Sequence, residues 1–552
     1  MIKQNITTGL NIIVKKYLKD RGVNEKIKFN VEVPPKDVAA DFAINVAMLI
    51  AKKIKMNPKI LAQEIANIII MRMSYIIEKT EVAGAGFINL YIKNEILYRE
   101  LISILCEGDK YGSLAENSKG RVIVEFVSAN PTGPLHIGHG RGAAIGDSLV
   151  RILKRLGYNV TREYYLNDVG NQISILARSV EIRYRQLKKE KIDFPQEYYC
   201  GDYIINIAKR LISENKNINE IDFKYEAIKD ILRTIKEDLK AFAVEFDNWF
   251  SEEVIAFYRD SNGKTEVDKM CEYLILKGDA YLKDDALWLA STKFGDDKDR
   301  VLKRSDGRYT YLASDIAYHK NKFERGFKKL INLWGTDHHG YVARITACVQ
   351  MLGFKKESLN IILYQLVSIV RNGKHLAMST RAGKFVTLKE VVDEVGVDAC
   401  RFFFLLRSPA SQLEFDLELA KKRSSKNPVF YVQYVNARCV SIIKEGKIRK
   451  DVITNIGNIN FNLLNTKEER DLIKKLSAFY DTLLVSEKTM SPHHFTTYLI
   501  ELSDIYHRFY EKCRVLTDDI AITSARLKLI EGVMIIIQNG LNLLGVSAPK
   551  QM

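Results

Sequence analysis

The chain has 552 residues, 47% hydrophobic and 28% charged, too many for one hydrophobic core and typical of a globular protein with three or four domains. Its net charge of +16 suits a polyanionic partner, and suits equally a lysine-rich bias spread over solvated faces. Seven scattered cysteines without a C-x-x-C pair exclude a disulfide scaffold and read as reduced thiols; no apolar run is long enough to cross a bilayer, so cytoplasm and no membrane partner are the expectation.

In chain order, residues 1–95 predict a small α+β unit: an amphipathic helix, a strand over 28–33, a Pro34-Pro35 break, helices, and an edge strand over 86–92. A helical connector follows over about 96–115. Residues 121–127, RVIVEFV, have the β-branched content of a buried strand, and 140–155 have helical spacing closed by Gly157. Alternation of strand and helix predicts a parallel sheet, interrupted by lysine-rich helices over about 185–300 that read as an insertion. Residues 300–304 and 308–312 flank Ser305-Asp306-Gly307 as a hairpin, and 330–334 form a strand feeding Gly335 and a helix from about His338. From Asn427-Pro428 the pattern is all-helical, with a capping box at Thr466–Glu469 and another start at Ser491-Pro492. The expected fold is α/β: a doubly wound, Rossmann-like sheet in 96–426, a small α+β domain in 1–95, and a helical domain in 427–552.

Between strand and helix lies Ser128-Ala-Asn-Pro-Thr-Gly-Pro-Leu-His136-Ile-Gly-His139. A helix start presents unpaired N–H groups and a positive dipole end, which suits phosphate and keeps nearby imidazoles neutral. Gly138-His-Gly140-Arg-Gly142-Ala143 with Glu163 also fits a dinucleotide fingerprint, but that motif wants its first glycine in the tight turn ending the strand, and a long loop with Pro131 and Pro134 intervenes. A plain helix-capping turn is the bland alternative. Asp337-His338-His339 does not make a zinc site, because adjacent helical side chains point about 100° apart and no spaced partner is nearby.

The P-L-H-I-G-H run after V-E-F-V-S-A-N-P-T-G resembles the first signature of class I aminoacyl-tRNA synthetases, and specifically the arginyl-tRNA synthetase family. The resemblance continues through Asp41-Phe-Ala-Ile-Asn-Val-Ala, Ala83–Asn89, Glu163-Tyr-Tyr-Leu-Asn-Asp168, Ser305–His319, Met378-Ser-Thr-Arg-Ala-Gly383 and Leu544–Pro549. It implies an ATP-dependent ligase that makes arginyl-adenylate and passes arginine to the terminal adenosine of its tRNA, as a monomer, with Mg2+ on the ATP phosphates. The chain departs from the family pattern at Ala40 and Ala85.

The resemblance implies that His136 and His139 donate to phosphate oxygens, and that ATP lies along Pro134, His136, Gly138, His139, Gly335 and Met378. In the loop 374–385, Ala377 and Thr380 stand where the family's second signature has lysines. Met378 and Ser379 remain, and Arg381, Lys384 and Lys374 are candidates to meet the pyrophosphate charge. For arginine, a guanidinium fork wants carboxylates and an aromatic face, and Asp315 and Tyr311 supply both. Alone, Asp315 also fits a first-turn acid favoured by the helix dipole. The family pattern implies Glu125, Ser128, Asn130 and His139 at the amino-acid end, with Tyr311, Asp315 and Asp337 around the side chain. It also assigns the helical domain to the anticodon and the first domain to the outer tRNA corner. Tyr431, Tyr434, Asn436 and Arg438 offer groups to unpaired bases, or simply a core stripe. Two other readings compete: an inactive RNA-binding protein, consistent with the degraded second signature, and a small-molecule nucleotidyltransferase, which needs no helical C-terminal domain.

Overall fold

The computed structural model describes residues 2–35, 37–215, 217–376, 386–449 and 451–552. The first group of elements is α1 (Ile2–Lys19), β1 (Val31–Glu32), β2 (Phe42–Ile44), α2 (Val46–Ile54), α3 (Pro58–Met73), β3 (Ile77–Ala83) and β4 (Phe87–Ile92). They form an antiparallel sheet in the order β1-β2-β4-β3 with the helices packed on it. The strand expected at the edge over 86–92 is therefore interior. The edge is β3, whose Glu78, Lys79 and Glu81 make it read as polar loop, and charge on an exposed edge is how sheets avoid further pairing. Of residues 28–33, only Val31 and Glu32 join the ladder.

After α4 (Asn94–Glu107) come β5 (Arg121–Glu125), α5 (Ile137–Arg155), β6 (Asn159–Leu166), α6 (Asn171–Leu187), α7 (Asp202–Ser213), α8 (Phe223–Ala241) and β7 (Asn248–Ser251). Next are α9 (Glu252–Ala256), α10 (Glu266–Leu276), β8 (Ala280–Lys283), β9 (Ala286–Leu289), β10 (Arg300–Lys303), α11 (Tyr311–Glu324), β11 (Lys329–Gly335), α12 (Val342–Met351) and β12 (Leu359–Tyr364). The central sheet is parallel, in the order β12-β11-β5-β6-β7. The chain winds outward from β5 through β6 to β7, then returns to β11 on the other side of β5. The carboxyl ends of β5 and β11 thus flank the switch point, where open α/β sheets bind ligands.

Three sequence expectations change here. The stretch 185–300 is not one insertion, because it contains β7, a strand of the central sheet. Its four residues, Asn-Trp-Phe-Ser, carry no aliphatic run, and the strand is held by aromatic packing of Trp249 on Tyr164 at 4.4 Å. The second hairpin arm is only a bridge from Lys303 to Tyr309, since helix α11 begins at Tyr311. The helix expected from His338 begins at Val342, behind a 3-10 turn over Thr336–Tyr341.

Helix α5 is buried on nearly every side, which its small residues permit. At Gly146 a Cβ would come within 2.3 Å of the Phe126 ring, so only glycine lets α5 lie this close to the end of β5. The chain continues through β13 (Val367–Arg371), β14 (Lys374–His375), α13 (Leu388–Val395), α14 (Val397–Phe404), β15 (Leu413–Asp416) and α15 (Leu417–Lys421). A bundle of α16 (Pro428–Ile448), α17 (Lys467–Ser477), α18 (Phe479–Thr489), α19 (His493–Lys512) and α20 (Ile520–Leu544) completes it. The expected starts are present: Asn427 caps α16, Thr466 and Glu469 form a capping box on α17, and α19 begins right after Pro492.

Two buried ion pairs tie the groups together. Arg470 of α17 grips Asp41 with two 2.7 Å bonds, and the fully buried Arg401 of α14 joins Asp147 of α5 to the carbonyls of Leu544 and Phe242. In α16, Asn436 is buried, whereas Tyr434 is exposed and its ring lies parallel to that of His507, which also stacks on Tyr431.

Candidate active site

The site begins where β5 ends. Val127 and Ser128 adopt positive φ of 67° and 40°, a conformation that costs a β-branched residue energy and turns the chain sharply out of the sheet. The turn is braced: the Ser128 hydroxyl donates to Glu125 at 3.2 Å and accepts from the Tyr165 N–H at 3.1 Å, while Tyr164 and Tyr203 donate to the carbonyls of Ala129 and Thr132. Pro134 lies in this braced loop, and Asn130 donates to Gln172 at 2.8 Å.

The loop delivers His136 to the N-cap of α5 and His139 to its first turn. His136 Nδ1 accepts from the Gly138 N–H at 3.1 Å, and His139 Nδ1 accepts from the His136 N–H at 3.3 Å. Each ring therefore carries its proton on Nε2. The rings stack at 3.6 Å and 20°, and burial holds both imidazoles below their ordinary pKa, His139 far below. The result is a pair of neutral Nε2–H donors at a positive helix end. A Cβ at Gly138 would come within 2.9 Å of the His136 ring, so glycine is needed here for the histidine itself. His136 also bridges to Thr387, and the Leu388 N–H donates to the Leu135 carbonyl at 2.8 Å. The first motif is thereby joined to the end of the second. Met378, Ser379, Arg381 and Lys384 lie outside the described residues; Lys374 is exposed on β14.

On the opposite face of the sheet, the one that α11 covers, is a cluster of acids. Asp315, in the second turn of α11, accepts from the Tyr341 hydroxyl at 2.5 Å, and its pKa is raised to about 7, chiefly by burial and then by the nearby charges of Glu252 and Glu125. Glu252, at the start of α9, is buried against Tyr165 and Ser314, and burial raises it too. Glu125 is buried and paired with Lys322. Like charges this close, with a single buried ammonium among them, favour a cationic guest. Tyr311 stands exposed at the first residue of α11, its hydroxyl near Gly170. Asp337 is exposed, its carboxylate 3.5 Å from His338 and folded against Gly335 at the end of β11. Glu163 is fully buried and held by Arg325, Tyr318 and Asn248, which removes it as a ribose ligand and with it the dinucleotide reading.

The family model for tRNA synthetases class I (R), catalytic domain, matches residues 100–402. Models for the arginyl tRNA synthetase N terminal domain and the DALR anticodon binding domain match 3–92 and 432–552. An arginine–tRNA ligase of Syntrophotalea carbinolica is 45% identical over 95% of both chains, and one of Lawsonia intracellularis 43% over the whole of both. The chain belongs to the arginyl-tRNA synthetase family. As a class I family member it is a ligase that forms an aminoacyl-tRNA, with ATP, arginine and tRNA as substrates. The arginyl-tRNA synthetase of Thermus thermophilus shares its fold along the full length of both chains, at a TM-score of 0.78 and 20% identity.

For an arginyl-tRNA synthetase the structure adds side chains that sequence reasoning passed over: Glu252, Tyr341 and Lys322. Glu252 follows Ser251, whose hydroxyl caps the short helix α9, and the Ser-Glu-Glu start after an aromatic strand was the available signal. Tyr341 and Lys322 carried none, because each matters only through what it touches across the sheet.

Proposed function

We propose that arginine binds with its guanidinium between Asp315, Glu252 and the Tyr311 ring, Asp337 at the rim, and its α-amino end toward Glu125, Ser128 and Asn130. ATP lies along Pro134, His136, Gly138, His139, Gly335 and Met378. The observation that carries this reading is an acid cluster on the α11 face of the sheet together with a neutral, donor-rich helix start on the α5 face, both at the carboxyl ends of the central strands.

Activation needs no protein nucleophile. An arginine carboxylate oxygen attacks the α-phosphorus, the bond to the bridging oxygen of pyrophosphate breaks, and the protein supplies placement and charge compensation. The Nε2–H groups of His136 and His139 donate to phosphate oxygens as charge shifts onto them, and the α5 dipole adds to this. Met378, Ser379, Arg381 and Lys384, with Lys374, meet the leaving pyrophosphate. In the second step a hydroxyl of the terminal adenosine attacks the adenylate carbonyl, releasing AMP.

Among the described residues no group of three His, Cys, Asp or Glu side chains is arranged to hold a metal. Mg2+ enters as the magnesium complex of ATP. Residues 427–552 read the anticodon and residues 1–95 the outer tRNA corner, flanking the catalytic domain at 96–426; the protein works as a cytoplasmic monomer.

The test is amino-acid-dependent exchange of pyrophosphate into ATP, with and without tRNA, on the parent and on His136→Ala and Asp315→Asn. Exchange with arginine alone, lost on Asp315→Asn and strongly slowed on His136→Ala, is expected. Undiminished turnover in His136→Ala would refute the phosphate role, and exchange with another amino acid would refute the pocket.

A further inference from the structure

Beneath the acid cluster lies a buried polar chain that the reaction does not touch. Lys322, in the last turn of α11, has a fully buried side chain. Its ammonium donates to Glu125 at 2.5 Å and to the Asn332 Oδ1 of β11 at 3.2 Å, and lies 4.2 Å from the centre of the Tyr318 ring. Because Asn332 Oδ1 accepts from Lys322, its amide nitrogen is left to donate, and it meets His319 Nε2 at 2.9 Å. His319 then carries its proton on Nδ1 and donates to the Asp315 carbonyl at 2.7 Å. Every member is buried, so the directions of these hydrogen bonds follow from the one ammonium.

A buried ammonium is costly, and a core needing only volume takes an aliphatic residue instead. Nor is Lys322 needed for the neighbouring Glu163, which Arg325 already neutralises. What the ammonium does is join the two ends of the amino-acid pocket. It holds Glu125 at the tip of β5, and through Asn332 and His319 it holds the turn of α11 that presents Asp315. Residues 311, 315 and 322 fall on one stripe of that helix at 3.6 residues per turn.

We propose that Lys322 is a positioning residue for amino-acid binding, setting the separation between the Glu125 and Asp315 carboxylates through the Lys322–Asn332–His319 chain. This rests on Glu125 and Asp315 binding arginine as described above. The experiment measures steady-state arginyl-tRNA formation by the full chain, varying arginine and ATP in turn, for Lys322→Met, Glu125→Gln and the double variant. Lys322→Met is expected to raise the KM for arginine roughly tenfold to a hundredfold, as loss of hydrogen bonds to a charged group does, and to leave the KM for ATP within about twofold. The double variant removes both charges and so avoids a stranded acid. Its arginine KM is expected to rise by less than the product of the two single effects, because the residues are coupled through one carboxylate pair. If Lys322→Met does not fold, the double variant carries the test. Equal rises in both KM values, a fall in kcat with unchanged KM, or independent additive effects would overturn the inference. An unchanged arginine KM in Glu125→Gln would instead remove the underlying reading of Glu125. A raised one there with normal arginine KM in Lys322→Met would overturn this inference alone.

Discussion

In the proposed pocket, Asp315 makes arginine binding a proton-linked event. Its carboxyl titrates at about 7 because burial disfavours the charged form, Glu252 and Glu125 repel it, and only the Tyr341 hydroxyl and Lys322 oppose them. Tyr165 of β6 and Cys348 of α12 also face it, and burial keeps both protonated throughout the neutral range. A guanidinium requires the ionised carboxylate, so the sign is fixed: affinity for arginine is full above about pH 7 and falls as pH drops through that value. For a single group the loss is about tenfold at one unit below its pKa and under about 10% at one unit above. Burial holds His136 and His139 below their ordinary pKa, on the neutral side. Isothermal titration with arginine between about pH 6 and 8, in two buffers of different ionisation enthalpy, reads both the affinity and the proton released. In Tyr341→Phe, which removes the donor at 2.5 Å, the midpoint is expected to move to higher pH. In Asp315→Asn the step is expected to vanish and affinity to fall by roughly two to four orders of magnitude, the size of breaking a buried charge pair worth about 3–5 kcal/mol. A flat affinity over the range, or an unaltered step in Asp315→Asn, would refute the reasoning.

Glu252→Gln is expected to raise the KM for arginine by more than about tenfold with little change for ATP, checked by steady-state aminoacylation. Arg470→Ala leaves the buried Asp41 carboxylate to Lys474 at 3.3 Å and the Ile92 N–H, and is expected to lower stability by about 1.5–3 kcal/mol, the size of losing hydrogen bonds to a charged group, read by denaturant unfolding. Hydrogen bonds from Arg470 and the Ile92 N–H hold Asp41 below its ordinary pKa despite its burial, so this joint contributes fully above the usual carboxylate range and is lost as pH falls through the lowered value. Gly146→Ala drives a methyl into the Phe126 ring and is expected to cost about 1–3 kcal/mol, with a matching fall in melting temperature.

Much was legible because it is local. The strand opening at Arg121, the histidines at a helix start, the Asn427-Pro428 cap and the Thr466–Glu469 capping box depend on neighbours within a turn, and such signals survive in the linear order. The strand itself stops at Glu125 rather than at the expected Val127, which turns out of the sheet at positive φ. Polar edge strand β3 and short aromatic strand β7 were not legible, because a strand's place in a sheet is set by distant partners rather than by its own pattern.

The chain's residues by themselves pointed to a class of chemistry: a helix start suited to phosphate, an acid and an aromatic ring suited to a guanidinium, and an excess of positive charge suited to a polyanion. Tertiary structure alone decided which acids share the pocket and in what state. Glu163 and Glu252 are equally acidic in sequence, yet Arg325 neutralises the first, while the second is buried beside Asp315 without such a partner. Charge state in an interior depends on the dielectric and on groups brought close by folding, and the winding from β7 back to β11 is what brings these groups together.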